Sequence, residues 1–388
     1  MVKKVKILAF YTIYLLFVVL GTLLLGELFV RFLVPKPLWA FREASHDWQT
    51  DPEIGWVNRP GLDESFRADG VHLVRFRTDE LGIQRSSTGE SPGITSLSIA
   101  IFGDSTVVGR VVPEEDRLGS QLSLSLAQLS VPNQIHNAGV QGYSTDQEVL
   151  LMERLLPQLR PDWAVLMTCE NDLGGNESST AYGWPKAFFT LKSDQMLQYH
   201  PPSFRGSVPA NSAKPGLLQR IALYRYLYPR LKILRPSRTW QEENLAGRLD
   251  LARSDQVAEA ANWKLYAALL KRAALIAEKN QCKLVVIQHP SIQEIWMEDL
   301  PAEARDRFQQ KIRQACQNVG VTFLPLLDEF RKRRTEGPFH LLPNDGHCNA
   351  KGYQITSEIL ARYLAKEPIQ SGGARVPRGV NSSSPNAF

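Results

Sequence analysis

The sequence has few cysteines and no dense run of positive charge. Its four cysteines, Cys169, Cys282, Cys316 and Cys348, form neither a Cys-x-x-Cys pair nor a zinc-ligand spacing. That excludes a disulfide framework, although a single bridge stays open as an alternative in an oxidising compartment. Cys169 and Cys348, each beside a candidate site residue, are expected to remain thiols. The formal charge of +5 is spread thinly over 388 residues, apart from one short basic cluster at 331–334. Nucleic-acid binding is not predicted, because it needs a concentrated basic face.

Two other common catalytic arrangements are not supported by the sequence. The Gly-x-Ser-x-Gly spacing occurs at residues 89–93, but there it lies in the turn-rich part ahead of the main domain and follows no predicted strand, so it does not form a nucleophile elbow. The run Gly142-Tyr-Ser-Thr-Asp146 fails at its last position. The seven histidines are scattered and include no His-Glu-x-x-His. We therefore expect no metal site. His289 follows a predicted strand and could line a pocket, although packing is the preferred interpretation.

A long apolar run opens the chain. Three lysines precede an uncharged stretch from Ile7 to Gly26, which as a helix would cover about 30 Å, the thickness of a bilayer core. We predict that residues 1–34 form a cytoplasmic tail and a single membrane anchor, with the rest outside the cytoplasm. A cleaved signal peptide is the alternative, but the run is longer than usual and no Ala-x-Ala site follows.

The chain beyond the anchor divides by composition into three parts. Residues 35–95 are rich in turns and include the alternating run His72–Arg77, which predicts a linker and a small β element. Residues 96–366 form the predicted main domain, with a long insertion at 173–255. Residues 367–388 are rich in Gly, Pro, Ser and Asn and are predicted to be disordered.

The main domain alternates short apolar runs with helical segments. Helices are predicted at about 118–129, from Ser144 with Gln147 in a capping box, at about 256–279, and over 350–365 with Asn349 as cap. This alternation predicts a parallel sheet covered on both faces, whose functional residues gather at the carboxyl ends of the strands. The predicted strands are Leu97–Phe102, Gln134–Ala138, Trp163–Met167, Lys283–Gln288 and Thr322–Leu326.

Polar motifs follow the first three of these strands, and a fourth precedes the last helix. Each motif alone is typical of an ordinary turn or helix cap. A serine hydroxyl becomes a nucleophile only when a base accepts its proton, and the base needs a group that fixes its tautomer. Ser105, His347 and Asp345 could supply those three groups. The motifs are Phe102-Gly-Asp-Ser-Thr106, Asn137-Ala-Gly-Val-Gln-Gly142, Glu170-Asn-Asp172 and Asn344-Asp-Gly-His-Cys-Asn349.

In this order, over about residues 50–365, the motifs resemble the four blocks of the SGNH (GDSL-type) hydrolase superfamily. The resemblance is closest to a bacterial group of single-span, membrane-anchored members. It implies an α/β fold, the flavodoxin-like three-layer SGNH hydrolase fold with a parallel sheet, preceded by one transmembrane helix. Two positions depart from the pattern. Cys169 stands where the third block usually has glycine, and Asn344 stands where the fourth often has aspartate.

The resemblance also implies roles for individual residues. Ser105 is the expected nucleophile, His347 its base, and Asp345 the group that orients the imidazole. The backbone N–H groups of Ser105 and Gly142 and the side chain of Asn171 are the expected oxyanion hole. No cofactor is implied.

The expected activity is hydrolysis of an acyl ester on a cell-envelope substrate, a polysaccharide or a lipid. Two alternatives stay open: a polysaccharide O-acyltransferase with the same triad, and a non-catalytic envelope scaffold. The insertion at 173–255 is a candidate lid or acceptor wall. Its basic and aromatic run at 223–230 is a candidate membrane contact, with an ordinary packing helix as the alternative.

Overall fold

The computed structural model describes most of the chain in ten stretches. The predicted tail at 367–388 and nearly all of the basic and aromatic run at 223–230 lie outside them. The described residues are 2–33, 47–67, 73–86, 96–192, 196–204, 221, 223, 256–296, 301–341 and 346–366.

The apolar run at the amino terminus lies in one long helix, α1 (Val2–Leu33). Within it, the 21 residues Phe10–Val30 have a mean hydropathy of 2.4, and almost none of them packs against the rest of the protein. Among the described residues, this is the one helix long and apolar enough to cross a membrane. The same features fit a membrane span and a signal sequence.

A five-stranded parallel sheet forms the centre of the molecule, as the alternating pattern predicted. Its strands are β5 (Leu97–Phe102), β6 (Asn133–Asn137), β7 (Trp163–Thr168), β12 (Lys283–Gln288) and β13 (Thr322–Leu324). Across the sheet their order is β13-β12-β7-β5-β6, so the first of these five strands in the chain, β5, lies between the second and the third. This is the flavodoxin-like order, and the chain reverses direction across the sheet between β5 and β7.

Helices cover both faces of this sheet and produce three layers. Alternate residues of β5 point to opposite faces: Ala100 and Phe102 join one apolar core, and Ile99 and Ile101 join the other. The first core is closed by α4 (Thr145–Leu159), α6 (Gln256–Lys279) and α9 (Arg307–Val319). The second is closed by α3 (Leu118–Gln128), α10 (Leu327–Lys332) and α11 (Ala350–Leu364). Short helices at the strand ends are α2 (Ser105–Val108), α5 (Asn171–Gly175), α7 (Ile292–Trp296) and α8 (Ala302–Arg305).

Two helix caps test the sequence interpretation at single residues. Asn349 caps α11 as predicted, because its Oδ1 accepts the Gly352 N–H at 3.0 Å. The capping box at α4 was wrong, since the Ser144 side chain makes no cap hydrogen bond. Gln147 instead donates its amide to the Ile54 carbonyl at 3.0 Å. The Gln147 side chain is therefore used in a tertiary hydrogen bond and is not available for the capping box.

The described residues 47–67 and 73–86, here called the N-terminal β segment, pack beside the sheet. The segment contains two antiparallel hairpins, and its strand β4 matches most of the predicted run. A buried ion pair joins the segment to the main domain: the Arg110 Nε atom lies 2.6 Å from the Asp47 Oδ2 atom. The Gln84 N–H extends the sheet edge by donating to the Asn137 carbonyl at 2.9 Å. The strands are β1 (Trp48–Asp51), β2 (Gly55–Asn58), β3 (Asp63–Arg67) and β4 (Leu73–Arg77).

The described part of the insertion forms two further antiparallel hairpins close to α5. Tyr182 and Gly183 form the turn of the first hairpin, and both have positive φ angles, +52° and +79°. Such a turn suits the twist of paired strands but is unfavourable for a side chain as large as tyrosine. The strands are β8 (Thr180–Ala181), β9 (Trp184–Pro185), β10 (Phe188–Leu191) and β11 (Leu197–His200).

Candidate active site

Ser105 lies directly beyond the carboxyl end of β5, and α2 begins with it. The connection between the two elements is short because Gly103 has no side chain. A Cβ atom there would lie 2.3 Å from the Cγ2 atom of Val107. The Asp104 carboxylate caps α2 by accepting the Thr106 N–H at 2.9 Å. The half-buried Ser105 hydroxyl is thereby held at the sheet edge where parallel strands end.

His347 reaches Ser105 from 242 positions further along the chain. Its Nε2 atom lies 2.7 Å from the Ser105 Oγ atom, which is within the range for proton transfer. Backbone hydrogen bonds hold the loop that carries the imidazole. The Leu341 N–H donates to the His347 carbonyl at 2.9 Å, and the Asn349 N–H donates to the Phe339 carbonyl at 3.0 Å. The fold thus brings together the serine and histidine that sequence reasoning selected.

Asp345, the residue predicted to orient the imidazole, lies outside the described residues, as does its neighbour Asn344. The described chain stops at Leu341 and resumes at Gly346. The role of Asp345 therefore stays a prediction from the sequence.

Asn171 begins α5 directly after β7 and contacts the residue before the predicted nucleophile. Its Nδ2 atom donates to the Oδ2 atom of Asp104 at 2.9 Å. A carboxamide nitrogen carries two hydrogens, so this bond leaves a second donor for a bound group. Its role as an oxyanion donor remains a prediction.

Gly142 adopts a backbone conformation that favours glycine, with a φ angle of +80°. A Cβ atom there would lie 2.6 Å from the ring of Tyr182. Asn137 fixes the loop: its amide donates to the Val107 carbonyl at 3.0 Å, and its Oδ1 accepts the Gly139 N–H at 3.1 Å. The loop that carries Gly142 is therefore held against α2, beside the predicted nucleophile.

Cys169 replaces the glycine of the third block, and its thiol fills a buried space. The Sγ atom lies 3.3 Å from the Thr106 Oγ1 atom and 3.5 Å from the Asp104 Oδ1 atom. Burial, together with the charges of Asp104 and Asp172, raises the pKa of the thiol well above its usual value. Cys169 is thus a neutral packing group that the site accommodates. All four cysteines of the chain are free thiols in the structure.

Buried carboxyl groups lie behind Asp104. Burial raises the pKa of Glu148 and of Asp172 well above their usual values, and the charge of Asp104 raises the pKa of both further. The Asp172 Oδ2 atom still accepts the Cys169 N–H at 2.8 Å. Each of these two carboxyl groups therefore favours its neutral form more strongly than an exposed carboxyl does.

A fully buried cation, Lys186, lies in the same region. Its ammonium group donates to both oxygens of Asp146, at 2.8 and 2.9 Å, and to the Gly175 carbonyl at 2.7 Å. These bonds tie the insertion to the start of α4 and to the last residue of α5. Sequence reasoning missed Lys186, because no local pattern distinguishes it from a surface lysine.

Aromatic side chains form one rim of the site. Tyr182 is 55% exposed and lies against the backbone of Gly142. Behind it, Trp56 is buried and donates its indole N–H to the Gln141 carbonyl at 3.1 Å. Trp184 packs edge-on against Trp56, with ring centroids 6.5 Å apart. Sequence reasoning did not identify this rim. The Tyr182-Gly183 pair is a usable signal for a hairpin turn that presents an aromatic side chain.

Comparisons with known proteins establish the class that this fold and site define. The model of the GDSL-like lipase/acylhydrolase family matches residues 101–355. The chain belongs to this family, and its class is that of hydrolases acting on ester bonds. No curated protein matches the chain.

Solved structures of similar proteins cover about two thirds of this chain. An acetyl xylan esterase, AlAXEase, has 14% identity, covers 69% of this chain and 99% of its own, and has a TM-score of 0.39. A variant of the acetylxylan esterase Axe2 from Geobacillus stearothermophilus has 12% identity, coverages of 70% and 94%, and a TM-score of 0.38. The esterase EstA from a Pseudoalteromonas species has 10% identity, coverages of 70% and 98%, and a TM-score of 0.37.

Proposed function

We propose that this protein is a serine esterase that removes acyl groups from an acylated cell-envelope substrate. The observation that carries the proposal is the 2.7 Å contact between His347 Nε2 and Ser105 Oγ. A hydroxyl oxygen at this distance from an imidazole nitrogen can lose its proton as it attacks a carbonyl carbon.

In the proposed mechanism, Ser105 Oγ attacks the acyl carbonyl and His347 Nε2 accepts its proton. A tetrahedral intermediate forms and collapses as His347 returns the proton to the leaving alcohol. Water then attacks the acyl-enzyme carbonyl as His347 takes a proton from it. The bond between the acyl carbon and Ser105 Oγ breaks, His347 returns the proton to Oγ, and the acid is released. Asp345 is the proposed partner of the imidazolium.

The proposed oxyanion hole consists of three donors on separate elements. They are the backbone N–H of Ser105 at the start of α2, the backbone N–H of Gly142, and the second N–H of the Asn171 amide. Each donor is expected to lower the barrier by about 3 kcal/mol, the usual size of such a contribution. The Asn171 bond to Asp104 supports this role, since it restricts the amide to one orientation.

We further propose that α1 is an uncleaved anchor and that the hydrolase domain lies outside the cytoplasm. The three lysines among the first six residues favour a cytoplasmic amino terminus. The 21-residue span Phe10–Val30, in which Glu27 is the one charged residue, exceeds the length of a usual signal-peptide core.

A fluorophosphonate probe tests the nucleophile and the topology together. The full-length protein in detergent should gain one phosphonyl adduct, located on Ser105 by peptide mass spectrometry. The wild-type protein in spheroplasts should also react with a membrane-impermeant form of the probe. An adduct on another serine would contradict the assignment of the nucleophile. Labelling only after lysis would contradict the topology and leave the nucleophile standing.

The aromatic rim supports a carbohydrate as the acylated group. Tyr182 holds an exposed ring beside the oxyanion loop in a backbone conformation that costs free energy, and such strain is concentrated at functional sites. An apolar face of a sugar ring can pack on such an aromatic surface.

Tyr182→Ala is expected to raise KM for glucose pentaacetate about fivefold, because losing one aromatic contact costs about 1 kcal/mol. The same variant should hydrolyse ethyl acetate at the wild-type rate, since that ester is too small to reach the ring. Titration of released acetic acid measures both reactions. Tyr182→Phe is the matched control and should retain the wild-type KM. Equal losses with both esters would show that the ring serves the structure rather than the sugar.

A further inference from the structure

Three buried side chains converge beside the loop that carries His347. His289 follows β12, and its backbone N–H donates to the Thr168 carbonyl at 3.0 Å. His340 and Cys348 face each other across an isolated antiparallel bridge. The side chains of His289, His340 and Cys348 are 8%, 2% and 1% exposed. One nitrogen from each imidazole and the Cys348 sulfur all lie within 4.8 Å of one another.

Hydrogen bonds fix the tautomers of both imidazoles. His289 Nε2 lies 2.9 Å from the Gly346 carbonyl oxygen, and His340 Nε2 lies 2.9 Å from the Pro290 carbonyl oxygen. A carbonyl oxygen only accepts, so each Nε2 must carry the hydrogen. In a neutral imidazole, each Nδ1 then carries a lone pair. Metal-binding histidines commonly use this arrangement, with one nitrogen held by a carbonyl and the other bound to the ion.

The spacing of the ligand atoms suits a small cation. The Cys348 Sγ atom lies 3.7 Å from His289 Nδ1. Zinc bonds of 2.3 Å to sulfur and 2.0–2.1 Å to nitrogen place two such ligands about 3.5–3.8 Å apart at tetrahedral to trigonal angles. An ion can therefore bind with little movement of these two side chains.

We propose that His289 Nδ1, His340 Nδ1 and Cys348 Sγ form a Zn²⁺ site. Two imidazoles and one thiolate are a donor set that zinc accepts, and three protein ligands leave one position for water. Binding forms a zinc–sulfur bond and releases the thiol proton to solvent. The sequence interpretation expected no metal site because the histidines are scattered along the chain. The fold brings two of them to one cysteine.

The proposed ion would hold both flanks of His347. Cys348 is the next residue in the chain, and His289 already binds the carbonyl of Gly346 through its other nitrogen. A metal joining His289 to Cys348 would therefore fix the backbone on each side of the imidazole. The role assigned to the ion is structural, and the ester chemistry of Ser105 proceeds without it.

Metal binding to the full-length protein in detergent tests the proposal. After chelation and dialysis against micromolar zinc, we expect one Zn²⁺ per chain by elemental mass spectrometry. Loading with Co²⁺ should produce intense thiolate-to-metal absorption in the near ultraviolet. Cys348→Ser should abolish that absorption. Both Cys348→Ser and His340→Ala should weaken zinc binding by at least about tenfold.

Cys316→Ser is the matched control, because Cys316 is an equally buried thiol that lies on α9. This substitution should leave zinc binding and the Co²⁺ spectrum unchanged. Less than stoichiometric zinc, or a wild-type Co²⁺ spectrum without thiolate absorption, would overturn the proposal. The wild-type spectrum decides this even if a variant fails to fold. Neither measurement depends on ester hydrolysis, so the metal site and the proposed function can fail separately.

Discussion

Ser105→Ala is expected to lower kcat for p-nitrophenyl acetate by about 10⁴-fold or more, as for other serine hydrolases that lose their nucleophile. Removing Oγ removes the atom that is proposed to form the acyl-enzyme. His347→Ala should cause a loss of similar size, because a serine hydroxyl without its base is a poor nucleophile. The double variant should fall little further, since the two groups act as one unit. Release of p-nitrophenol by the full-length protein in detergent measures all three.

Ser125→Ala provides the matched control for these variants. Ser125 is a buried serine on α3, on the face of the sheet that α11 also covers. Its replacement removes the same atom and should leave kcat unchanged. A Ser105→Ala protein that keeps more than a tenth of the wild-type rate would refute the proposed nucleophile. Additive losses in the double variant would refute the proposed pairing with His347.

Lys186→Met is expected to destabilise the folded protein by about 3–5 kcal/mol, the range seen when one partner of a buried ion pair is removed. The lysine makes three hydrogen bonds and is fully buried with its partner Asp146. Methionine fills a similar volume but removes the ammonium donor of the Gly175 carbonyl, and it leaves the carboxylate with the Gln147 N–H but no opposite charge. Urea unfolding of the full-length protein, followed by tryptophan fluorescence, measures the free energy of unfolding.

The cost of this substitution should depend on pH. Burial raises the pKa of Asp146 to about 6, although Lys186 opposes the rise. Without the lysine the pKa of Asp146 rises further, so the folded variant binds a proton that the unfolded chain releases. A raised folded-state pKa favours the fold at low pH and loses that benefit as pH increases. The variant should therefore lose more stability at pH 8 than at pH 5.5.

Two further variants separate charge from packing. Lys192→Met removes an exposed lysine of the same insertion and should change stability by less than about 0.5 kcal/mol. Asp146→Asn combined with Lys186→Met removes both charges, and it should be less destabilised at pH 8 than Lys186→Met alone. A single variant as stable as the wild type at both pH values would contradict the burial of this pair.

Much of the sheet could be predicted from the sequence. The predicted strands at 97–102 and 283–288 match β5 and β12 residue for residue. Both are runs that bury side chains on two faces, and such runs carry a strong local signal. The strand predicted over 322–326 ends earlier, at Leu324. Element boundaries depend on backbone pairing with β12, which a single segment does not encode.

The candidate site was predictable where a residue follows a strand end. Ser105, Gly142 and Asn171 each follow the carboxyl end of a strand. These ends lie at the same edge of a parallel sheet, so the three residues come close together. His347 was identified because its motif precedes the last helix. The contacts of Lys186 and Tyr182 with the site could not be predicted, because each depends on an insertion folding back onto a helix or loop that is distant in sequence.

The sequence by itself determined the family, the alternation of strands and helices, and the serine and histidine selected as nucleophile and base. Local patterns suffice for these, because hydrophobic period and turn chemistry act between near neighbours in the chain. Only the tertiary structure decided that the Gln147 side chain donates to the Ile54 carbonyl instead of capping α4. The same holds for the buried ion pair of Lys186 with Asp146. The tertiary structure also decided that two scattered histidines meet Cys348. These contacts join distant segments, and only the packing of the whole chain brings such segments within a few ångströms.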